Sequence, residues 1–233
     1  MLYDPLVPHL TKLQSVARYE LAANIVEGKD VLDIGCGYGY GSYILSSKAR
    51  HVFGIDEDTE AISYATARYQ RPNLSFDAVG AAEYLREVRS EFDMVTMFEV
   101  IEHVARQQEL LEQVSGSLRP GGFLVISTPN RAYTRFFRHN PYHVKELSWF
   151  EFKEILDSRF ESISSFGQGP GALALLPLPY YLLMRLVQLM PQAKEMFRIN
   201  GKPEVSRTMI VLARNTAVAL NHANVGLHID RDG

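Results

Sequence analysis

The stretch Val31-Leu32-Asp33-Ile34-Gly35-Cys36-Gly37-Tyr38-Gly39 decides the fold. It opens as a short apolar strand, Val31 to Gly35, and runs into a glycine cluster, Gly35, Gly37, Gly39 and Gly41, where a strand hands over to a helix. Glycines at such a turn let backbone amides approach a ligand closely, at the carboxyl edge of a parallel sheet. The spacing departs from the dinucleotide pattern, because the third glycine of G-x-G-x-x-G, counted from Gly35, falls on Tyr40. Asp33, just ahead of the loop, would repel a pyrophosphate. It would favour a ligand carrying ammonium and sulfonium charges, which is the charge pattern of S-adenosylmethionine.

Outward from this loop, strand-like and helix-like runs alternate, the signature of a parallel sheet covered on both faces. Upstream, Val16, Ala17, Leu21 and Ile25 have amphipathic helical spacing over Gln14–Val26, and Gly28 stops the helix. Downstream, strands are expected at His51–Ile55, Leu74–Asp77, Phe92–Phe98, Phe123–Thr128, Phe160–Phe166 and Arg207–Ala213. Helices are expected through Ser47, over Thr59–Tyr69 with Asp58 as N-cap, over Glu83–Arg89 and over Gln107–Leu118, the last ended by the turn Arg119-Pro120-Gly121-Gly122. Ser148 and Glu151 form a capping-box pattern for a further helix. The connection from Pro129 to Leu147 is too long for a routine loop.

The chain of 233 residues, 46% hydrophobic, suits one domain with a sizeable core. We expect that domain over 1–215, with an apolar insertion near 169–203, and a disordered tail over 216–233. A net charge of -3 argues against a global basic field, so no DNA partner is expected. The single cysteine, Cys36, excludes an intramolecular disulfide framework and points to the cytoplasm. Met1 to Lys12 lacks the apolar core of a signal peptide, and no apolar run reaches the roughly 18 residues of a spanning helix.

Asp56 ends the second strand about twenty residues beyond the loop, where an acid accepts hydrogen bonds from ribose hydroxyls. Here a resemblance becomes specific. The segments VLDIGCGYG, VFGIDEDTEAISYA, FDMVTMFEVIEHV and SLRPGGFLVISTPN resemble, in order and spacing, the core of class I S-adenosylmethionine-dependent methyltransferases over roughly Val31 to Asn130. The resemblance implies a Rossmann-like, doubly wound α/β sheet of seven strands in the order 3-2-1-4-5-7-6, strand 7 antiparallel. It implies S-adenosyl-L-methionine as cofactor, bound through Asp33, Gly35, Cys36, Gly37, Asp56, Ala82 and Phe98. Ala81 departs from the family, which often has an adenine-reading aspartate there; backbone amides near Ala82, or Asp77, would compensate.

Glu99, Glu102 and His103 follow the fourth strand, and on a helix these i, i+3 and i+4 positions share a face. His143, in the long loop, supplies a fourth candidate. The set resembles the E-x-x-E-H plus later histidine with which small-RNA 3′-terminal 2′-O-methyltransferases hold a divalent metal, and the similar segment of ubiquinone-pathway O-methyltransferases. Two chemical readings stand: a metal on Glu99, Glu102, His103 and His143 stabilising an alkoxide, or His103 as general base oriented by Glu102. The plainer alternative is that Glu102 and His103 merely open a helix.

The loop after the fifth strand carries Arg131, Arg135 and Arg138, which suits an anionic small-molecule acceptor as well as it suits a solvated charged loop. Asn140 to Leu147 resembles a segment of bacterial glycan-biosynthesis methyltransferases, and Arg18 followed by Tyr19 fits that group; the likeness implies Arg18 near the cofactor carboxylate. The insertion stretch 172–190 is apolar on nearly every side. It is read as a helix packed on the domain or across a dimer, against the alternative of a peripheral membrane contact. The leading expectation is O-methylation of a hydroxylated small molecule such as a sugar or glycan precursor. The alternatives are an RNA 3′-terminal 2′-O-methyltransferase and a non-catalytic partner subunit with the same fold.

Overall fold

A computed structural model describes residues 9–134, 140–169 and 199–216. Strands β1 (Asp30–Ile34), β2 (His51–Asp56), β3 (Leu74–Ala78), β4 (Phe92–Phe98), β5 (Leu118–Pro129), β6 (Phe160–Gln168), β7 (Ile199–Gly201) and β8 (Thr208–Asn215) form one sheet in the order β3-β2-β1-β4-β5-β8-β6-β7. Strands β3, β2, β1, β4 and β5 run parallel, and β8 enters antiparallel between β5 and β6. The seven expected strands thus take the expected order, with β8 in the place of the seventh. The short β7 adds an eighth strand at the edge, paired with β6 through Gly167 and Gln168.

Alternation along the strands builds two cores. Leu32, Val95, Leu124, Ile126 and Val211 face one side, where α5 (Gln107–Ser117) and α7 (Trp149–Asp157) bring Leu111, Val114 and Phe152. Val31, Met94, Val125 and Ile210 face the other, beneath Tyr19 and Ala22 of α1 (His9–Ala22) and Leu45 of α2 (Tyr40–Leu45). A parallel strand covered on both faces must be apolar on both, which is why β4 is buried at six of its seven positions. The N-terminus of α3 (Thr59–Arg68) is capped by the Asp58 side chain, and α7 opens with the Ser148–Glu151 capping box.

Where elements differ from expectation, local packing is the reason. Helix α1 starts and ends earlier than Gln14–Val26, and the chain then turns through hydrogen bonds from Ala23 to Tyr19 and Lys29 to Val26 before Gly28 at φ 67°. The helix expected at Glu83–Arg89 is a single turn, α4 (Ala81–Tyr84). The Arg119-Pro120-Gly121-Gly122 turn lies inside β5, with Gly121 at φ 73° and a register shift against β4 opposite it, so the turn residues serve as an irregularity in a continuing strand. The long connection after β5 contains a one-turn helix, α6 (Arg131–Thr134), and Asn130 bridges to Leu147. Most of the apolar insertion, 170–198 with its stretch 172–190, and the tail from 217 lie outside the described residues. Among the described residues no helix is long and apolar enough to cross a membrane.

Candidate active site

The glycine loop leaves β1 and folds back on β2. Gly35 and Cys36 donate their amides to the Ile55 carbonyl, and Gly37 donates to Asp56 Oδ2 at 2.8 Å. Asp56 Oδ1 accepts from the Asp58 amide at 3.0 Å. The expected ribose acid therefore also ties the loop to its neighbouring strand. Each oxygen keeps a lone pair for a further donor. Gly35 sits at φ 72°, and a Cβ there would lie 2.3 Å from Val100 Cγ2, so both backbone conformation and space demand glycine.

Asp33 is enclosed by the fold. Its side chain is fully buried and accepts from Ser42 Oγ at 2.6 Å, Thr96 Oγ1 at 2.7 Å and Tyr19 Oη at 3.1 Å. Those three hydroxyls, from α2, β4 and α1, tie together the elements around the loop. Burial pushes the Asp33 carboxyl up to about 6, and the hydroxyl bonds pull the other way. A carboxylate enclosed by hydroxyls is a structural hub. Tyr19 reaches this position because Gly41 has no Cβ; one would fall 2.0 Å from the ring. The side chains of Phe98 and Cys36 are taken up by the core as well. Phe98 packs edge-on against Tyr19 with centroids 4.9 Å apart, and the Cys36 thiol is buried and pushed up by that burial.

A cleft of about 710 Å³ runs from Gly35 and Asp56 past Ala81 and Ala82 to His103 and Tyr142. Ala82 stands in the first turn of α4, where amides lack intrahelical acceptors and are available to a ligand. Arg18 on α1 is 4% exposed; its guanidinium donates to Gln168 at 2.8 Å and stands 4.0 Å from Glu99, while its Nε is buried without a partner.

Glu99, Glu102 and His103 do not share a helical face. Glu99 has φ 58°, and only Ile101–His103 turn, as a 3-10 helix. Glu99 is thereby directed to Ser127, whose hydroxyl donates to it at 2.8 Å, and toward Arg18. The group that forms is Glu102, His103 and His143, with ligand atoms all within 4.8 Å of one another. Glu99, expected as a ligand, lies outside it. Glu102 is 1% exposed; Oε2 accepts from Thr128 at 3.0 Å and Oε1 is buried without a partner. Burial, then the charge of Glu99, push Glu102 well above the usual carboxylate range. A buried oxygen without a donor is costly, and a cation would satisfy it.

His103 Nδ1 lies 2.8 Å from the Tyr142 carbonyl, so the expected orientation by Glu102 is replaced by a backbone oxygen of the long loop. Buried Gln107 on α5 donates to the Ile101 and Lys145 carbonyls at 2.9 Å each, and the Val144 and Lys145 amides donate to the Glu102 carbonyl. These bonds fasten the loop to the turn that carries Glu102 and His103. Sequence reasoning missed Gln107 and Thr128, since a loop without periodicity does not reveal what it docks on. Arg131 Nη2 donates to both oxygens of Glu151, at 2.9 and 2.7 Å, on a side chain that is half exposed. Arg135 and Arg138 lie outside the described residues.

Comparison with known proteins agrees with this architecture. The methyltransferase domain family matches residues 25–163. A protein of Mycolicibacterium smegmatis named as a probable S-adenosylmethionine-dependent methyltransferase is 35% identical over 158 residues, 66% of this chain and 60% of the relative. A ubiquinone biosynthesis O-methyltransferase of Aeromonas salmonicida is 37% identical over 106 residues, 45% of this chain and 44% of the relative. The chain thus spans less than two thirds of the curated relatives it matches. The N-methyltransferase NodS of Bradyrhizobium japonicum WM9, solved with S-adenosyl-L-homocysteine, superposes with a TM-score of 0.59 at 17% identity, covering 89% of this chain and 87% of that one.

Proposed function

This chain belongs to the methyltransferase domain family, and from that premise we propose that it methylates a hydroxyl group of a small molecule, a sugar or glycan precursor, with S-adenosylmethionine as donor. One observation carries the reading: a single cleft joins the glycine loop and Asp56 at one end to His103 at the other. The residues fit the donor. Asp56 retains lone pairs for ribose hydroxyls, and space beside Gly37 is open. The donor supplies an electrophilic methyl group on a sulfonium.

The chain's part is alignment and proton removal. Holding the acceptor oxygen in line with the methyl group supplies most of the acceleration. The Tyr142 carbonyl can only accept, so His103 Nδ1 carries the hydrogen and Nε2 keeps the lone pair that takes the hydroxyl proton. The orphaned Glu102 oxygen favours a second reading, an alternative to the first because it makes His103 Nε2 a ligand in place of a base. Glu102, His103 and His143 would hold a divalent cation, which would supply Lewis acidity to the hydroxyl. The name of the ubiquinone-pathway relative supports O-methylation as the reaction class.

The test is calorimetric titration with S-adenosylhomocysteine, followed by transfer of labelled methyl from S-adenosylmethionine to a panel of hydroxylated sugars and their nucleotide conjugates. We expect binding, and label on oxygen. No binding would overturn the enzymatic reading in favour of a non-catalytic subunit. Transfer confined to RNA 3′ ends, or to amines, would overturn the proposed acceptor.

A further inference from the structure

The two histidines beside the cleft have their Nδ1 atoms held by different acceptors. His103 Nδ1 meets the Tyr142 carbonyl, a neutral group. His143 Nδ1 meets the carboxylate of Glu146 in a close contact, and the other Glu146 oxygen is in close contact with the Thr134 hydroxyl. His143 and Glu146 are sheltered, with side chains 13% and 18% exposed. The two rings stand edge to face, centroids 5.0 Å apart. Thr134 belongs to α6 on the near side of the loop and Glu146 to its far side. Residues 140–145 are pinned by the His143 amide to the Asn140 carbonyl and by the Val144 and Lys145 amides to the Glu102 carbonyl.

We propose that Glu146, steadied by Thr134, is the positioning residue of His143: it fixes the Nδ1–H tautomer and turns the Nε2 lone pair toward Glu102 and His103. A carboxylate accepts only, so it selects the tautomer; the Thr134 hydroxyl, donating to the second oxygen, holds the carboxylate against rotation. Carboxylate–histidine pairs of this kind orient imidazole ligands. The three groups bring two imidazole nitrogens and one carboxylate oxygen within 4.8 Å of one another, a donor set for a first-row divalent cation. This inference deepens the cation reading proposed above, and its tautomer component stands without it.

Two measurements on the full chain test it. Long-range 15N–1H correlation spectra of the histidine rings, recorded without metal, read the tautomer of His143 directly. Titration with Co2+, followed by its visible absorption, reads the site. Wild type should show His143 as the Nδ1–H tautomer. Glu146→Gln should mix the tautomers and weaken Co2+ binding about 10- to 100-fold, with S-adenosylhomocysteine affinity unchanged as evidence of an intact fold. Thr134→Val should move both readouts in the same direction by less. A His143 tautomer that is unaltered in Glu146→Gln, or is Nε2–H in wild type, overturns the assignment. A tautomer change in a protein whose wild type ignores Co2+ upholds Glu146 as positioning residue and overturns the cation reading. Loss of S-adenosylhomocysteine binding by wild type strikes the proposed function alone.

Discussion

Asp33 and Glu102 are both buried carboxylates, one on β1 and the other just beyond β4, and they are furnished in opposite ways. Asp33 is enclosed by three hydroxyls from three elements. Glu102 has one hydroxyl, from Thr128, and one oxygen with no donor at all. Burial raises both above the ordinary carboxylate range, so proton affinity alone does not tell them apart. Satisfaction does. An acid whose lone pairs are taken up by the fold holds the fold together, whereas an acid left half-solvated by protein is kept for something that arrives later.

The sharpest way to break this contrast is to remove the neighbours on each side. On the Glu102 side, His103→Ala should lower kcat/KM by about 10²- to 10⁴-fold while leaving the denaturation midpoint unchanged, because the ring is exposed. On the other side, Asp33→Ala should cost about 3–5 kcal/mol of stability in urea titrations, because it strands the hydroxyls of Tyr19, Ser42 and Thr96. A full-strength fold in that variant would erase the distinction. The pH dependence is a finer instrument. Asp33 is raised to about 6 in the folded state, so the stability it contributes is complete below about pH 4 and is lost as pH rises through 6. That loss is roughly 2–3 kcal/mol. Asp33→Asn should flatten that part of the stability–pH curve. Ser148→Ala, which removes the α7 cap on the loop's far flank, should cost about 1 kcal/mol by thermal melting.

Much of the fold was legible because its signals are local or periodic. Strand β4 falls on the expected Phe92–Phe98, and the caps at Asp58 and Ser148 form as their side chains require. Elements whose ends depend on tertiary packing were less legible. Nothing in Arg119-Pro120-Gly121-Gly122 says that β5 runs through it, since turn residues also build strand irregularities. At the site, sequence spacing brought Glu102, His103 and His143 forward as candidates. It misjudged Glu99, because an i, i+3, i+4 argument presumes a helix, and φ 58° at Glu99 denies one. The enclosure of Asp33 was not legible for a related reason: the charge of a residue is visible in a sequence, but the hydroxyls that will surround it come from positions 14 residues before and 63 residues after.

The contact between His103 and residue 142 is made by a main-chain oxygen, and the Tyr142 side chain, 77% exposed, stands at the rim of the cleft. A carbonyl is the same whatever amino acid bears it. Position 142 therefore separates two kinds of heredity: its backbone serves the histidine in every variant that keeps the loop, while its side chain can be exchanged to remodel the wall an acceptor meets. Selection for a new acceptor would find there a residue that alters taste without altering the tongue.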